Sequence, residues 1–333
     1  MKKLLFLLSI LITTHCAGQS NSDISTVAFG SCSRQNDPNQ MWSEICDSNP
    51  DIWIWLGDII YADTHNMDTM KSMYAKQKSH PDYQRLLKQS QVIGIWDDHD
   101  YGVNDGGKKY SKKKESKEQL LEFLDVSNEN DVYNHDGVYT SYTFGRDDRK
   151  IKVILLDTRY FRDTLDRSQT KGFRYDPNPT GDILGKQQWK WLQKELKKSD
   201  ARINIIGSGI QFISSEHGYE KWSNFPKARQ RMIDLLTKTK PLNPIIISGD
   251  RHIAEISKLD IPNVGPLYDF TSSGLTHTWS TVSNEPNRFR TGDLIAKKNY
   301  GLILIDWSQT NPVVTFQIKG HEGLYEELKF EVN

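Results

Sequence analysis

The stretch "DIWIWLGDIIYAD", residues 51–63, changes character midway. Ile52 to Leu56 are apolar at every position, as in a strand covered on both faces rather than one alternating between core and water. At Gly57 the run breaks, and Asp58, Tyr61 and Asp63 follow as a cluster of oxygen donors. A strand of this kind belongs to a layered α/β domain. Ligand-type side chains at its carboxyl end mark the edge where such folds build sites.

The pattern recurs along the chain. Apolar β-rich runs occur at 26–30 (TVAFG), 91–96 (QVIGIW), 151–157 (IKVILLD), 202–209 (RINIIGSG), 243–250 (NPIIISGD), 300–306 (YGLILID) and 312–318 (PVVTFQI). Helical spacing lies between them. Trp189, Leu192 and Leu196 share one stripe with lysines opposite, and Met232, Leu235 and Leu236 share another after Pro226. Shorter helices are expected at 39–48 and 117–125. Runs 138–145 into 151–157, and 300–306 into 312–318, read as hairpins, so the sheets are expected to be mixed rather than purely parallel.

The 333 residues suit one large domain or two modest ones. Charged residues at 26% and aromatics at 11% fit a folded protein rather than a disordered one. A formal net charge of zero gives no global electrostatic case for nucleic acid or acidic membranes. Lys2 and Lys3 precede "LLFLLSILI", a charged segment and an apolar core too short for a membrane span. Residues 1–18 therefore read as a signal peptide, with a single mature domain over 22–333 in an extracytoplasmic setting: periplasm, outer-membrane lipoprotein or secreted. Cys16 is a candidate lipid anchor, and cleavage near Gly18 or Gln19 is the other option. Cys32 and Cys46 then remain in an oxidising compartment, where a disulfide is the plain expectation.

Five strand ends carry chemistry. They offer Cys32 after 26–30, Asp58 and Tyr61 after 51–56, and Asp97, Asp98, His99, Asp100, Asn104 and Asp105 after 91–96. Gln211 follows 202–209, and Asp250 and His252 follow 244–248. Singly, a Gly-Asp is a turn and a lone histidine is a hydrogen-bonded structural residue. Together, carboxylates and imidazoles converging on one pocket repel one another unless a cation neutralises them. The mixture of carboxylate, phenol, imidazole and thiol favours a transition metal beside a harder, oxygen-bound cation.

The ordered set "FGSC", "GDIIY", "WDDHD", "LDTRYFRD", "SGDRH" and "SSGLTH" resembles the PhoD-like (alkaline phosphatase D) branch of the calcineurin-like metallophosphatases, from about residue 26 onward. The resemblance implies an α/β sandwich of two mixed β-sheets flanked by α-helices, with a metal site at the strand carboxyl ends. Many relatives carry an N-terminal β-domain; here "FGSC" follows the leader almost directly, and that domain is expected to be absent. By the same resemblance Asp58 bridges two metals, and Tyr61 matches an iron-binding tyrosine of the purple acid phosphatases. Cys32 matches a first-strand cysteine ligand, which would keep it from pairing with Cys46. Cys32, Asp58, Tyr61 and His252 would hold Fe³⁺; Asp58, Asp98, Asp250 and Gln211 would hold Ca²⁺, whose oxygen preference fits the two extra carboxylates.

The implied activity is phosphoester hydrolysis, of monoesters, diesters or both, by a metal-activated hydroxide with His99 as acid. Arg159 reads either as a two-pronged phosphate ligand or as a salt-bridge partner of Asp157 or Asp163. Asn104 and His277 are substrate-binding candidates. Trp53, Trp55 and Trp96 read as core, Trp222 and Trp279 as groove-lining. Substrate choice is expected in loops 62–82, 160–182 and 214–226, and the basic run 108–119 reads as a solvated helix start. The partner is a phosphoester substrate, and the chain is expected to be a monomer. A serine esterase is disfavoured because no G-x-S-x-G occurs. A non-catalytic phosphate- or metal-binding surface protein is the rival from another class; His99→Ala, which should remove turnover and spare affinity, separates them.

Overall fold

A computed structural model describes residues 19–332, apart from 21, 22, 39 and 283. The leader and Cys16 lie outside the described residues. Two mixed sheets carry the architecture. The six-stranded sheet runs β15 (Gly323–Glu331), β14 (Val313–Gly320), β13 (Tyr300–Asp306), β2 (Thr26–Gly30), β3 (Ile52–Leu56) and β4 (Gln91–Ile95). The seven-stranded sheet runs β1 (Gln19–Ser20), β5 (Thr140–Phe144), β6 (Ile151–Leu155), β9 (Ile203–Ser208), β10 (Pro244–Ser248), β12 (Gly265–Ser272) and β11 (Ala254–Ile261). Strands β2, β3 and β4 are mutually parallel, as are β6, β9, β10 and β12, while the flanking hairpins are antiparallel. The two parallel blocks end at the site.

The continuous apolar runs have the expected cause. In β9, Ile205 packs between the sheets and Ile206 packs outward; in β10, Ile245 and Ile247 face inward and Ile246 outward. The outward residues meet α6 (Gly185–Lys198) and α7 (Pro226–Thr239) through Trp189, Leu192, Met232 and Leu236. Across the sandwich, Phe270 stacks on Phe316 with ring centroids 3.8 Å apart. On the other outer face Trp53 and Trp55 of β3 meet Trp42 of α1 (Trp42–Asp47) and Tyr83 of α3 (Pro81–Gln89) edge to face or tilted. Such ring pairs contribute about 0.5–1.5 kcal/mol each beyond the area they bury. This packing fixes the strand end that delivers Asp58.

Two expectations change. Segment 62–82 is mostly not loop: Asn66 caps the amide of Thr69 at 3.0 Å and α2 (Met67–Lys78) follows directly. Trp222 lines no groove. It is fully buried against Trp189 and Phe212, its indole donating to Ser208. Cys32 and Cys46 are both free: the plain expectation of a disulfide gives way, and the unpaired Cys32 that the resemblance implied is what is found. The basic run does open α5 (Lys113–Phe123), and no helix among the described residues is long and apolar enough to cross a membrane.

Candidate metal centre

The parallel strands end in backbone that few residues adopt. Cys32, Asp58, Asp250 and His252 all have left-handed φ, between 49° and 68°. Non-glycine residues there cost about 1–3 kcal/mol each, and such strain collects at functional sites. Gly57, at φ 90°, is required: a Cβ would lie 2.2 Å from Cβ of Asp97. The loops after β3 and β4 can therefore cross closely enough to bring Asp58 and Asp98 together.

One clasp holds that crossing. Asp100, fully buried in the short helix α4 (Asp98–Tyr101), accepts from the amides of Asp58, Ile59 and Asp97 at 3.2, 3.1 and 2.6 Å. The amide of His99 in turn donates to Asp58 Oδ1 at 3.3 Å.

Cys32, Asp58 and His252 each offer a ligand atom within 4.8 Å of one another, as do Asp58, Asp97, Asp98 and Asp250. Tyr61 joins the first group, its hydroxyl 3.4 Å from Asp58 Oδ2 and 3.3 Å from His252 Nε2. Cys32 Sγ lies 3.4 Å from Asp58 Oδ2 and 3.2 Å from Ser273 Oγ. Asp97 is a false member of the second group, because both its oxygens are taken by Arg159 at 2.7 Å. Asp98 keeps one oxygen on the amide of Asp105 at 2.6 Å, and its buried Oδ1 has no partner among the described residues. Gln211 donates its amide to Glu255 and Thr271, and its buried Oε1 is likewise unpartnered.

The electrostatics tell the same story. Burial, then the neighbouring Cys32, holds the Asp58 carboxyl well above the ordinary range; burial, then Asp97 and Asp98, does so for Asp250. Burial pushes the Cys32 thiol up to about 11 and the Tyr61 phenol up as well, and pulls His252 down to about 4. Asp98 differs: burial opposes its charge, but Arg159 and His99 outweigh it and hold the group at about 2. A cluster of this kind favours protons or a cation over bare charge. The donor set of one thiol, one phenol, one imidazole and several carboxylates, with orphaned oxygens on Asp98 and Gln211, fits a metal pair.

A pocket of about 260 Å³ opens over the cluster, lined by Tyr61, Asp98, His99, Asn104, Asp250 and His252. Sequence reasoning passed over several of its other walls. Arg34 sits over the Tyr61 ring at 5.5 Å, Arg174 pairs with Asp105 at 2.9 Å, and Arg251 with Glu285 at 2.5 Å. Trp279, expected at a groove, is 45% exposed and forms the rim against Tyr219 and His252. Asp63, one of the oxygen donors that follow the run at 52–56, takes the Nδ1 side of His99 at 2.6 Å. The one available signal for Arg34 was its place two residues after Cys32.

Two site expectations move. Arg159 neither lines the pocket nor pairs with Asp163: it is fully buried, clamping Asp97 in two-pronged fashion and Glu220 at 2.5 Å. Asp157 instead accepts from Trp96 Nε1 and from the amides of Val138, Arg159 and Tyr160, so "LDTRYFRD" braces the loop after β4. His277 lies behind the pocket, packed on His252 and Tyr61 at 4.3 and 5.0 Å between ring centroids.

The comparisons agree with this architecture. The family model described as PhoD-like phosphatase matches residues 27–300. Alkaline phosphatase D of Bacillus subtilis (strain 168) is 24% identical over 284 residues, covering 71% of this chain; the chain spans about half, 47%, of that relative. The solved structure of PhoD superposes with a TM-score of 0.73 at 17% identity, over 95% of this chain and 70% of the other. With the family model covering most of its length, the chain belongs to the PhoD-like phosphatase family.

Proposed function

We propose that this chain is a metal-dependent phosphoester hydrolase acting outside the cytoplasm, the setting that the leader-like residues 1–18 imply, as a monomer either released or lipid-anchored at Cys16. The observation that carries the reading is the buried Asp98 Oδ1, an orphaned oxygen among Asp58, Asp250 and the cation-lined pocket. Cys32, Asp58, Tyr61 and His252 would hold the softer metal, for which the family resemblance implies Fe³⁺. Asp58, Asp98, Asp250 and Gln211 would hold the harder one, for which it implies Ca²⁺. Once bound, such a pair supplies Lewis acidity and an acidified water.

The chain's own groups do the rest. Arg34 and Arg174 bring guanidinium donors to the phosphoryl oxygens, and Asn104 adds an amide at the wall. Asp63 accepts from Nδ1–H of His99, which leaves Nε2–H for the leaving oxygen. After that transfer His99 is the neutral Nδ1–H tautomer, still held by Asp63. The test is hydrolysis of 4-nitrophenyl phosphate and bis(4-nitrophenyl) phosphate with elemental analysis of the same sample. Turnover abolished by chelation and by Asp58→Asn supports the reading; turnover that survives both rules it out.

A further inference from the structure

The seven-stranded sheet ends on a polar row at the carboxyl edge of its parallel strands. Ser208 of β9 is in register with Ser248 of β10, Ser248 with Thr271 of β12, and Thr271 with Glu255 of β11. Side chains in register share a face of the sheet, and all four are buried. The ribbon of β7 (Asp166–Arg167) and β8 (Tyr175–Asp176) stands apart from this sheet. Three residues beyond Ser208, Gln211 lays its carboxamide across the Glu255 end of the row. Its Nε2 donates to Glu255 Oε1 at 2.7 Å and to Thr271 Oγ1 at 2.8 Å.

The far ends of these bonds fix their directions. Asp269 Oδ2 accepts from the amides of Phe212 and Ile213 at 2.8 and 3.0 Å, and Oδ1 takes the hydroxyl hydrogen of Ser248 at 2.7 Å. Thr271 Oγ1 lies 2.9 Å from Ser248 Oγ. With the Ser248 hydrogen spent, the Thr271 hydroxyl donates to Ser248, and its oxygen is left to accept from Gln211. Glu255 is likewise met by donors: Oε1 also accepts from Asn287 at 3.0 Å, and Oε2 from Arg290 at 2.7 Å. The NH2 group of Gln211 must therefore face Glu255 and Thr271, because a flipped amide would set its oxygen against a carboxylate. Oε1 faces away from both, buried and without a partner among the described residues. The backbone sets this loop beside that of Asp250: the carbonyl of Gly209 accepts from the amide of Gly249 at 3.1 Å.

We propose that Glu255 is a positioning residue: by holding Gln211 Nε2, with Thr271 as the second acceptor, it fixes which end of that amide is offered to the harder ion. The assignment rests on the two-ion reading of the site and adds the residue that selects oxygen over nitrogen there. The selection matters because an amide NH2 has no lone pair to give a cation, and an ion such as calcium takes oxygen ligands. Glu255 does not line the pocket, so it acts through Gln211 rather than on a substrate. The hairpin of β11 and β12 thereby gains a part in the site through the one rung where Glu255 and Thr271 stand side by side.

The test is a double-mutant cycle read by binding, with calcium titrated calorimetrically into EGTA-treated protein. Glu255→Ala should weaken calcium binding about tenfold, the usual scale for a group that orients a ligand. In the Gln211→Ala background the same change should alter affinity by less than about twofold, because no amide is left to orient. An equal loss in both backgrounds would mean that Glu255 acts on the fold, and no loss in the parent that it orients nothing; either overturns the proposal. So does a Gln211→Ala variant that binds calcium as tightly as the parent. Thr271→Val keeps the volume and removes the second acceptor, and it repeats the cycle where Glu255→Ala fails to fold. Its expected loss is about threefold, again confined to proteins that carry Gln211, and an equal loss without Gln211 overturns the proposal. Hydrolysis of 4-nitrophenyl phosphate by the parent tests the enzyme reading separately from all of these. No calcium binding by the parent overturns the proposal and the two-ion reading together.

Discussion

His99 Nδ1 lies 2.6 Å from Asp63 Oδ2, a pairing between the loop after β3 and the helix after β4. The two residues sit 36 positions apart in the chain, yet the backbone also ties them: the amides of Ala62 and Asp63 both donate to the carbonyl of His99 at 3.3 Å. The imidazole ring packs on Tyr61 with centroids 4.2 Å apart. Its rotation and tautomer are thus fixed from two sides, which an acid must have to meet a leaving oxygen.

Asp63→Asn should lower kcat about ten- to hundredfold, within the span credited to a positioned acid, and leave KM within about threefold. The pH profile carries the sharper sign. Burial lowers the His99 pKa, but Asp58, Asp63 and Asp98 outweigh it and hold the imidazolium up to about 10. Removing the Asp63 charge must move the alkaline limb of kcat to lower pH. A limb that stays in place, with kcat down, would mean that Asp63 acts on folding rather than on His99.

The two buried cysteines should behave differently. Cys32 sits between Asp58 and Ser273 in the ligand cluster, whereas Cys46 only donates weakly to the carbonyl of Asp82. Cys32→Ser should lower bound metal and activity together, with a folded protein by circular dichroism. Cys46→Ala should leave both unchanged and cost about 1 kcal/mol of stability from the emptied space. Mass spectrometry without reductant should count both thiols free. Loss of metal in Cys46→Ala alone would reverse the assignment.

The division between what could be read from residues and what could not follows from range. The strands at 26–30, 91–95 and 300–306 were legible because residues covered on both faces leave an unbroken apolar run. The antiparallel pair β11 and β12 was not singled out: Lys258, Asp260 and Pro266 interrupt its pattern where the strands leave the core. Cys32, Asp58, Asp98, Asp250 and His252 could be grouped because each directly follows such a run. Arg159 was misplaced because an arginine beside a site looks the same in sequence whether it faces a substrate or a buried Asp97. Asp63 and Arg174 depend on loop geometry, which no spacing encodes.

Metal removal should make stability fall as pH rises. In the metal-free protein burial, foremost, holds Asp58 and Asp250 well above the ordinary carboxylate range, Asp97 at about 7 and Asp100 at about 8. The folded state then keeps protons that the unfolded chain releases near pH 4, so stability drains away as pH climbs through the folded values. His99 adds in the same sense: its contribution is full below about 6.5 and lost as pH rises through about 10. Thermal melts of chelator-treated protein should show Tm falling by several degrees between about pH 5.5 and pH 8.5. Added metal should remove that slope, because metal binds the deprotonated cluster and releases its protons. A chelated protein whose Tm climbs across the same interval would mean that the carboxylates are not under mutual strain.

Arg159 sets the last expectation, since its two roles predict opposite results. A phosphate ligand would raise KM and spare stability when removed. The observed partners argue the other way. Arg159 donates twice to Asp97 and once to Glu220, and all three side chains are almost wholly buried. The guanidinium offsets Asp97, whose charge burial disfavours. Arg159→Met leaves two buried carboxylates without that partner and should cost about 3–5 kcal/mol, the usual loss when one side of a buried pair is removed. Arg159→Lys should recover only part of it, because an ammonium cannot reproduce the two parallel bonds. In the fraction that stays folded, KM for 4-nitrophenyl phosphate should move less than about threefold, and urea melts with initial-rate kinetics on the same preparations read both quantities. A variant as stable as the parent with KM raised tenfold or more would put Arg159 back on the substrate.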